Sequence, residues 1–402
     1  MKTAGIITIH YVDNYGGVLL AYALQEVVHQ LGYDCFVIDF DPTPIPSRIQ
    51  HLSMVLSRRL ARMPLYVRHF SYYMKMFVRQ GLSLPPRHRH RSTGFRKNNF
   101  DRFREQYINL SENHYISTEA IQNSPPEYDA VICGSDQIWN PYICKSNGQA
   151  RNEPAYFLTF ATESKRISYA PSISIPTIPK QFREEMTSLL HGIAYLSVRE
   201  KQGAELIKEM TGKDAEIVLD PTLLLDHKQW DKIAVEPDIK EPYILAYYLG
   251  KPGKEGEYRK FSQKLSEETG CRLVLISAMA DEREKLVAIS KYDVGPAEFL
   301  GLIKHASCVC TDSFHGTIFS INYKKPFYVF ERPGSSGETS MVTRIYSILE
   351  MLGLTARLMR RDASPPSDPF VLDYSEADVI LSKERENSIR YIRESLEAAT
   401  RD

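Results

Sequence analysis

The sequence carries no net charge, since 50 Lys and Arg residues balance 50 Asp and Glu residues. This balance argues against a general nucleic-acid binder and against an acidic, solvating protein. No apolar run reaches the length of a membrane span. The N terminus has no basic stretch followed by an apolar core and a small-residue cleavage site. We therefore expect a cytoplasmic protein without a nucleic-acid partner.

Cysteine is scarce and scattered, with six residues spread over the whole chain. Several stand inside apolar runs, as in Val131-Ile132-Cys133. Buried thiols in a reducing compartment fit this distribution best. We expect no metal site.

The length of 402 residues exceeds what one hydrophobic core usually serves, which favours two domains. Gly5 to His10 reads as a buried strand, Val18 to Leu31 as a helix and Cys35 to Phe40 as a strand. Such a βαβ unit implies a parallel sheet with helices on its faces. Further strands are predicted at Ala130 to Cys133, Arg166 to Ala170, Ala194 to Val198 and Glu216 to Leu219. We place this first domain at residues 1–236.

A second α/β series begins at Tyr243 and fills residues 237–374. Its predicted elements are strand Tyr243 to Leu249, helix Glu257 to Thr269, strand Arg272 to Ile276, helix Pro296 to His305, strand Ser307 to Cys310, helix Phe314 to Tyr323, strand Phe327 to Phe330 and helix Met341 to Leu352. The result is a pair of Rossmann-like, doubly wound α/β domains with a cleft between them. Residues 375–402 read as a terminal helix that can cross back to the first domain.

A basic segment at about 48–104 interrupts the first domain. Between Arg48 and Arg104 it contains fourteen Lys or Arg and one acid, Asp101. Met54 to Val78 has amphipathic helical spacing with cationic flanks, and Arg87 to Arg91 is predicted to be a flexible or lid-like loop. The segment is either a helical insertion with a solvated basic face or a contact for an anionic partner such as a membrane surface.

Two loops follow predicted strands of the first domain. Asn14-Tyr15-Gly16-Gly17 opens a helix, where free N–H groups attract anions, but it lacks the dinucleotide fingerprint Gly-x-Gly-x-x-Gly. A tight turn needed for packing explains it equally well. The second loop, Gly134 to Asn140, follows an apolar strand and is rich in groups suited to sugar contacts. Ligands of open α/β sheets bind at the carboxyl ends of strands, so we favour a binding role for it.

Arg199 and Glu200 also end a predicted strand. An arginine there can hold a carboxylate or phosphate through two N–H groups, or it can pair with Glu200 or another acid at the surface. The sequence leaves both alternatives open.

The strongest constellation is Thr311 to Thr317, where a hydroxyl, a carboxylate and an imidazole meet at a helix N-terminus. The helix field disfavours a protonated imidazole unless Asp312 or a bound anion offsets it, so the charge of His315 would respond to substrate. That property suits a proton donor. The structural alternative has Ser313 or Asp312 as N-cap and His315 as a core residue.

Six motifs together resemble the polysaccharide pyruvyl transferase family. They are Asn14 to Gly17, Gly134 to Asn140, Ser168 to Ser172, Ser197 to Glu200, Leu219 to Thr222 and Ser313 to Thr317. The resemblance implies a GT-B-like fold and transfer of an enolpyruvyl-derived group from phosphoenolpyruvate to a pair of sugar hydroxyls, without metal or cofactor. It places Arg199 on the donor anion and His315 as the acid–base group. The family has an arginine two residues before this histidine, where the chain has Ser313, and Arg344 is a candidate to supply that charge.

The predicted site follows from these assignments. The predicted catalytic residues are His315 and Asp312. The residues expected to bind the donor are Arg199, Ser313, Phe314, Arg344, Gly16 and Gly17. Those expected to bind the acceptor are Asn14, Asp136, Gln137, Trp139 and Asn140. A lipid-linked acceptor would bring the protein to the inner membrane face, with residues 48–104 as a peripheral contact. Two rival functions stay open: a GT-B glycosyltransferase that uses a nucleotide sugar, and a non-catalytic module that binds glycan or lipid carrier.

Overall fold

The structure is a computed structural model that describes residues 1–42, 87–146, 149–249, 256–276, 289–331, 340–360 and 363–401. Within these ranges, no helix is long and apolar enough to cross a membrane. The predicted amphipathic segment Met54 to Val78 lies outside them. All six cysteines lie inside them as buried, free thiols.

The first domain is built on a parallel sheet. Its strands are β1 (Thr3–Ile7), β2 (Asp34–Phe40), β3 (Leu110–Tyr115), β4 (Ala130–Asp136) and β7 (Arg166–Pro171). They lie in the order β3-β2-β1-β4-β7. The order reverses between β1 and β4, which opens a crevice at their carboxyl ends, where ligands of such sheets bind.

Helices cover both faces of this sheet. They are α1 (Tyr15–Gln30), α2 (Arg87–Tyr107), α3 (Thr118–Asn123), α4 (Lys180–His191), α5 (Lys201–Thr211), α6 (Pro221–Leu224) and α7 (His227–Asp231). Two strand pairs stand outside the sheet, the antiparallel β5 (Lys145–Ser146) with β6 (Gln149–Ala150) and the parallel β8 (Ser197–Val198) with β9 (Glu216–Ile217). An isolated bridge between Ile167 and Tyr195 links the approach to β8 with β7.

The second domain repeats the design. Its parallel strands are β10 (Tyr243–Tyr247), β11 (Arg272–Ile276), β12 (Ile289–Lys291), β13 (Cys308–Thr311), β14 (Phe327–Phe330) and β15 (Leu358–Met359), in the order β12-β11-β10-β13-β14-β15. Its helices are α8 (Gly256–Thr269), α9 (Pro296–His305), α10 (Phe314–Asn322) and α11 (Ser340–Met351). The order reverses between β10 and β13, so a second crevice opens at the start of α10.

The final helix, α12 (Ser375–Ala399), packs on the first domain. The Tyr391 hydroxyl donates to the carbonyl of Ser168 in β7, and the backbone N–H of Leu219 donates to the Ser388 hydroxyl. One apolar cluster joins Ile6 of the first sheet to Leu245 of the second and includes Leu396 of α12. The two domains therefore share a core as well as a cleft.

The predicted fold class is confirmed: two α/β domains with parallel sheets face each other. The predicted strand Arg272 to Ile276 and helix Pro296 to His305 have the bounds that the sequence indicated. Three edge strands with few fully buried positions, β3, β12 and β15, are not among the predicted strands. Short or polar edge strands lack the apolar signal of central parallel strands.

The prediction of a loop at Arg87 to Arg91 is wrong, because α2 begins at Arg87. Tertiary packing accounts for the helix: Phe100 and Phe103 are buried, and the side-chain amide of Asn99 donates to the carbonyl of Asp293 in the second domain. Arg104 donates to the carbonyls of His10 and Tyr11, which fixes the loop after β1. The basic segment thus ends in a helix that touches both domains.

Candidate active site

His315 enters the cleft from the first turn of α10. Ser313 is the N-cap of this helix, since its hydroxyl accepts from the N–H of Gly316. The imidazole is largely buried, and its Nε2 has no hydrogen-bond partner among the described residues. The nearest carboxylate oxygen, Oδ2 of Asp220, lies 3.7 Å from Nε2. This is an ion-pair distance, longer than a direct hydrogen bond.

Asp220 comes from the opposite domain and is held rigidly. Its Oδ1 accepts from the backbone N–H and the hydroxyl of Thr222, and its Oδ2 accepts from Nη1 of Arg199 at 2.6 Å. Burial by itself would raise the pKa of Asp220, but the proximity of His315 and the charge of Arg199 hold it well below its usual range. The lowered pKa favours the ionised form of this carboxylate.

Arg199 lies in the interior of the cleft. Its guanidinium bonds Asp220, and its Nε lies 3.9 Å from a carboxylate oxygen of Glu200. Glu200 itself accepts from the Ser172 hydroxyl and from two backbone N–H groups of the same turn. Burial would lower the pKa of Arg199, but the carboxylates around it, Asp220 first, raise it. Arg199 thus pairs with Asp220 and, at a longer distance, with Glu200, and these pairs are buried in the cleft and not at the surface.

A second guanidinium reaches the same place from the second domain. The ring of Phe314 lies 4.7 Å from the guanidinium carbon of Arg199 and 5.5 Å from that of Arg344. Asp136, at the end of β4, lies 3.9 Å from Arg199 and 3.8 Å from Arg344 through one carboxylate oxygen. The two arginines and Phe314 line a cavity of about 290 Å³.

The loop before α1 approaches His315 from the first domain. Asn14 is the N-cap of α1, with its side-chain oxygen accepting from the N–H of Gly17. A Cβ on Gly16 would lie 2.0 Å from Nδ1 of His315, and a Cβ on Gly17 would lie 2.7 Å from the carbonyl oxygen of Ile9. Both glycines are thus required by close packing, and Gly16 brings the N-terminus of α1 against the imidazole.

The loop after β4 is only partly open to the cleft. Asp136 has a φ of 62° and a partly exposed side chain between the two arginines. The amide of Asn140 donates to the side-chain oxygen of Gln137, which ties the loop together. Trp139 is 1% exposed, stacks on Phe157 and donates its N–H to a backbone carbonyl. This corrects the prediction that Trp139 contacts an acceptor, because its ring belongs to the core.

The predicted partnership of Asp312 with His315 also needs correction. Asp312 is buried and accepts from the backbone N–H of Leu249, so it secures the loop after β10. The carboxylate that faces His315 belongs to Asp220. Asp220 lies in the motif Leu219 to Thr222, which contributes to the family resemblance but has no predicted chemical role. An acid followed by proline directly after a strand was the available signal, since it places a capping carboxylate at a strand end.

Among the described residues, no three His, Cys, Asp or Glu side chains come together in a way that could hold a metal ion. What converges is a pair of guanidiniums, an imidazole and three carboxylates, those of Asp220, Glu200 and Asp136. Guanidiniums bind carboxylates and phosphates, and an imidazole beside a fixed carboxylate can exchange protons. The arrangement can hold a small dianionic substrate next to an acid–base group.

The two facing α/β domains and the cleft between them have the architecture of the GT-B type. The chain belongs to the polysaccharide pyruvyl transferase family, whose sequence profile matches residues 14–333. No match was found among curated protein sequences. Among solved structures, Arabidopsis thaliana UGT89C1 complexed with UDP-L-rhamnose is similar, with a TM-score of 0.51, 11% identity and 99% of each chain covered. Acinetobacter baumannii MurG is similar with a TM-score of 0.43, 8% identity and coverage of 98% of this chain and 99% of the other.

Proposed function

We propose that the protein transfers the enolpyruvyl-derived group of phosphoenolpyruvate to two hydroxyls of a sugar in a cell-surface polysaccharide precursor. The observation that carries this proposal is the convergence of Arg199 and Arg344 on the ring of Phe314, next to His315. Phosphoenolpyruvate has a carboxylate and a phosphate on one carbon. Two guanidiniums from facing domains match two such anions, and the imidazole of His315, the residue after Phe314, is the proposed proton donor to the methylene carbon.

The chemistry needs two additions to one carbon. His315 donates a proton to the methylene carbon, and a first sugar hydroxyl attacks the resulting cation and gives its proton back to His315. Phosphate then leaves, and the second hydroxyl attacks the same carbon, with its proton taken up by the phosphate. One proton ends on the new methyl group, and the products are a cyclic pyruvate ketal and inorganic phosphate. No metal or cofactor takes part in this scheme.

Ligand binding tests the donor before any acceptor is known. A ligand that binds only the folded state stabilises it, by about 2.7 kcal/mol at a concentration of 100 Kd. We expect phosphoenolpyruvate to raise the melting temperature of the protein, and the double variant R199Q/R344Q to lose most of this shift. The matched ligands are UDP- and GDP-sugars. If a nucleotide sugar stabilises the protein and phosphoenolpyruvate does not, the glycosyltransferase alternative replaces the proposal.

Turnover is then measured with a panel of sugar acceptors. Release of inorganic phosphate, with a new methyl signal of a ketal in the NMR spectrum of the product, is the expected outcome. Release of nucleoside diphosphate instead would assign the protein to sugar transfer.

A further inference from the structure

We propose that Asp220 is a positioning residue that holds Nε2 of His315, so that Nδ1 is the nitrogen that exchanges protons with substrate. The inference rests on the proposed function for the identity of the substrate. The choice of the ring nitrogen that exchanges protons rests on the structure alone. Asp220 belongs to the first domain and His315 to the second. The imidazole is therefore positioned for proton exchange only when the two domains are in contact.

The carboxylate of Asp220 cannot turn away from His315. Two hydrogen bonds from Thr222 fix one oxygen, and the 2.6 Å bond from Arg199 fixes the other. An ionised carboxylate only accepts hydrogen bonds, so a second group that faces Oδ2 is favoured as a donor and disfavoured as a lone pair. Nε2 of His315 is buried and lies 3.7 Å from Oδ2, so the negative charge of Asp220 favours the form of the ring that carries its proton on Nε2. A small movement would shorten this separation to a hydrogen bond, as acid–base contacts tighten when substrate binds.

The other ring nitrogen has a different neighbour. Nδ1 lies against Gly16, where a Cβ would be 2.0 Å from Nδ1 and 2.3 Å from Cε1. The absence of a side chain brings the N-terminus of α1 to this edge of the ring. Free N–H groups of a first helical turn attract anions, so an anionic donor held there would lie beside Nδ1.

The two contacts together assign the proton path. In the charged ring both nitrogens carry protons, and the Nδ1 proton passes to the methylene carbon of the donor. The neutral ring that remains keeps its proton on Nε2, facing Asp220. Its free Nδ1 then takes the proton of the attacking hydroxyl, which restores the charged ring for the next cycle. Asp220 gives up no proton at any step.

The tautomer of His315 tests this directly by NMR of protein with ¹⁵N-labelled histidine, with the signals assigned by their loss in H315Q. We expect the neutral ring to carry its proton on Nε2 in the wild type, and D220N to lose this preference. Asp226→Asn is the matched control, because Asp226 also caps a short helix and asparagine caps equally well. A neutral wild-type ring protonated on Nδ1 would overturn the proposal, whether or not D220N folds.

Kinetics supplies the second readout. We expect D220N to lower kcat by tenfold or more, since an asparagine cannot accept from Thr222 and from both Arg199 and His315 at once. Gly16→Ala should lower kcat by 100-fold or more, because its Cβ would displace the Nδ1 edge of the ring, and near-normal turnover of G16A would contradict the role of Nδ1. If the wild type shows the Nε2–H tautomer but releases no phosphate from phosphoenolpyruvate, the proposed donor fails and the positioning role stands.

Discussion

The guanidinium carbon of Arg199 lies 4.7 Å from the ring centroid of Phe314, although the two residues belong to facing domains. Such a cation–π contact contributes on the order of 1–2 kcal/mol when it is shielded from water. Because Phe314 precedes His315, the contact also fixes the start of α10. The proposed donor site and the proposed acid–base group therefore meet at neighbouring residues of one helical turn, Phe314 and His315.

His315 is expected to be indispensable for turnover. H315A and H315N should each lower kcat by about 100-fold or more, which is the usual contribution of a positioned acid–base group. Steady-state phosphate release measures the effect, and circular dichroism checks the fold. His305, exposed at the end of α9, supplies the control H305A, which should turn over normally. Near-normal activity of H315A would return this histidine to a structural role.

Arg344 is expected to supply the anion contact that Ser313 does not. R344A should raise the KM for phosphoenolpyruvate by about 10- to 100-fold. This range corresponds to the loss of one hydrogen bond to a charged group, which contributes roughly 1.5–3 kcal/mol. Adding S313R to R344A should restore part of the lost affinity for phosphoenolpyruvate. It should also lower the free energy of unfolding by about 1 kcal/mol, because the N-cap of α10 is lost.

The control for Arg344 is R357A, since Arg357 stacks on Tyr328 elsewhere in the second domain. Its KM for phosphoenolpyruvate should be unchanged. Equal donor affinity of R344A and the wild type would refute the compensation.

Asp136 lies where a donor anion would compete with it, within 3.9 Å of both arginines. Removing its charge in D136N should therefore lower the KM for phosphoenolpyruvate, by about fivefold if the pairing is worth about 1 kcal/mol. Asparagine tolerates the positive φ of this position well. An unchanged donor KM with a raised acceptor KM would instead support the acceptor contact predicted from the sequence.

Packing of α9 on the segment that joins the domains is expected to depend on Gly301. A Cβ there would lie 1.7 Å from the carbonyl oxygen of Val235. G301A should lower the free energy of unfolding by about 1–3 kcal/mol or more, measured by urea denaturation. Gly94, in α2 with open space around it, gives the opposite expectation: G94A should be neutral or stabilise by up to about 1 kcal/mol. Equal stability of the two variants would contradict this account.

The basic segment is expected to bind anionic membranes, as suits an acceptor carried on a diphospholipid. Arg58, Arg59, Arg62 and Arg68 each contribute on the order of 1 kcal/mol near an anionic surface. The protein should therefore float with phosphatidylglycerol vesicles at low salt and not at high salt. A variant with the four arginines changed to glutamine should stay unbound. Flotation that is independent of these charges, or absent at low salt, would favour a packed insertion instead.

The sequence by itself determined the alternation of strands and helices and the loops at which chemistry is expected. Central strands of parallel sheets are continuous apolar runs, and helices repeat every 3.6 residues, so both leave a local signal. The motif around His315 is likewise one continuous stretch, Thr311 to Thr317, so it can be recognised from the sequence before the fold is known. Edge strands such as β3 and the helix at Arg87 were missed, because their stability comes from contacts with distant residues.

Only the tertiary structure decided which groups meet. Asp312 is three residues from His315 in the chain, yet the carboxylate that faces the imidazole is Asp220, from the other domain. Arg199 and Arg344 converge on Phe314 because the two domains pack against each other. Trp139 turns into the core although it follows a polar loop. Local periodicity fixes which side of an element is buried, but the packing of two sheets across a cleft fixes which buried side chains touch.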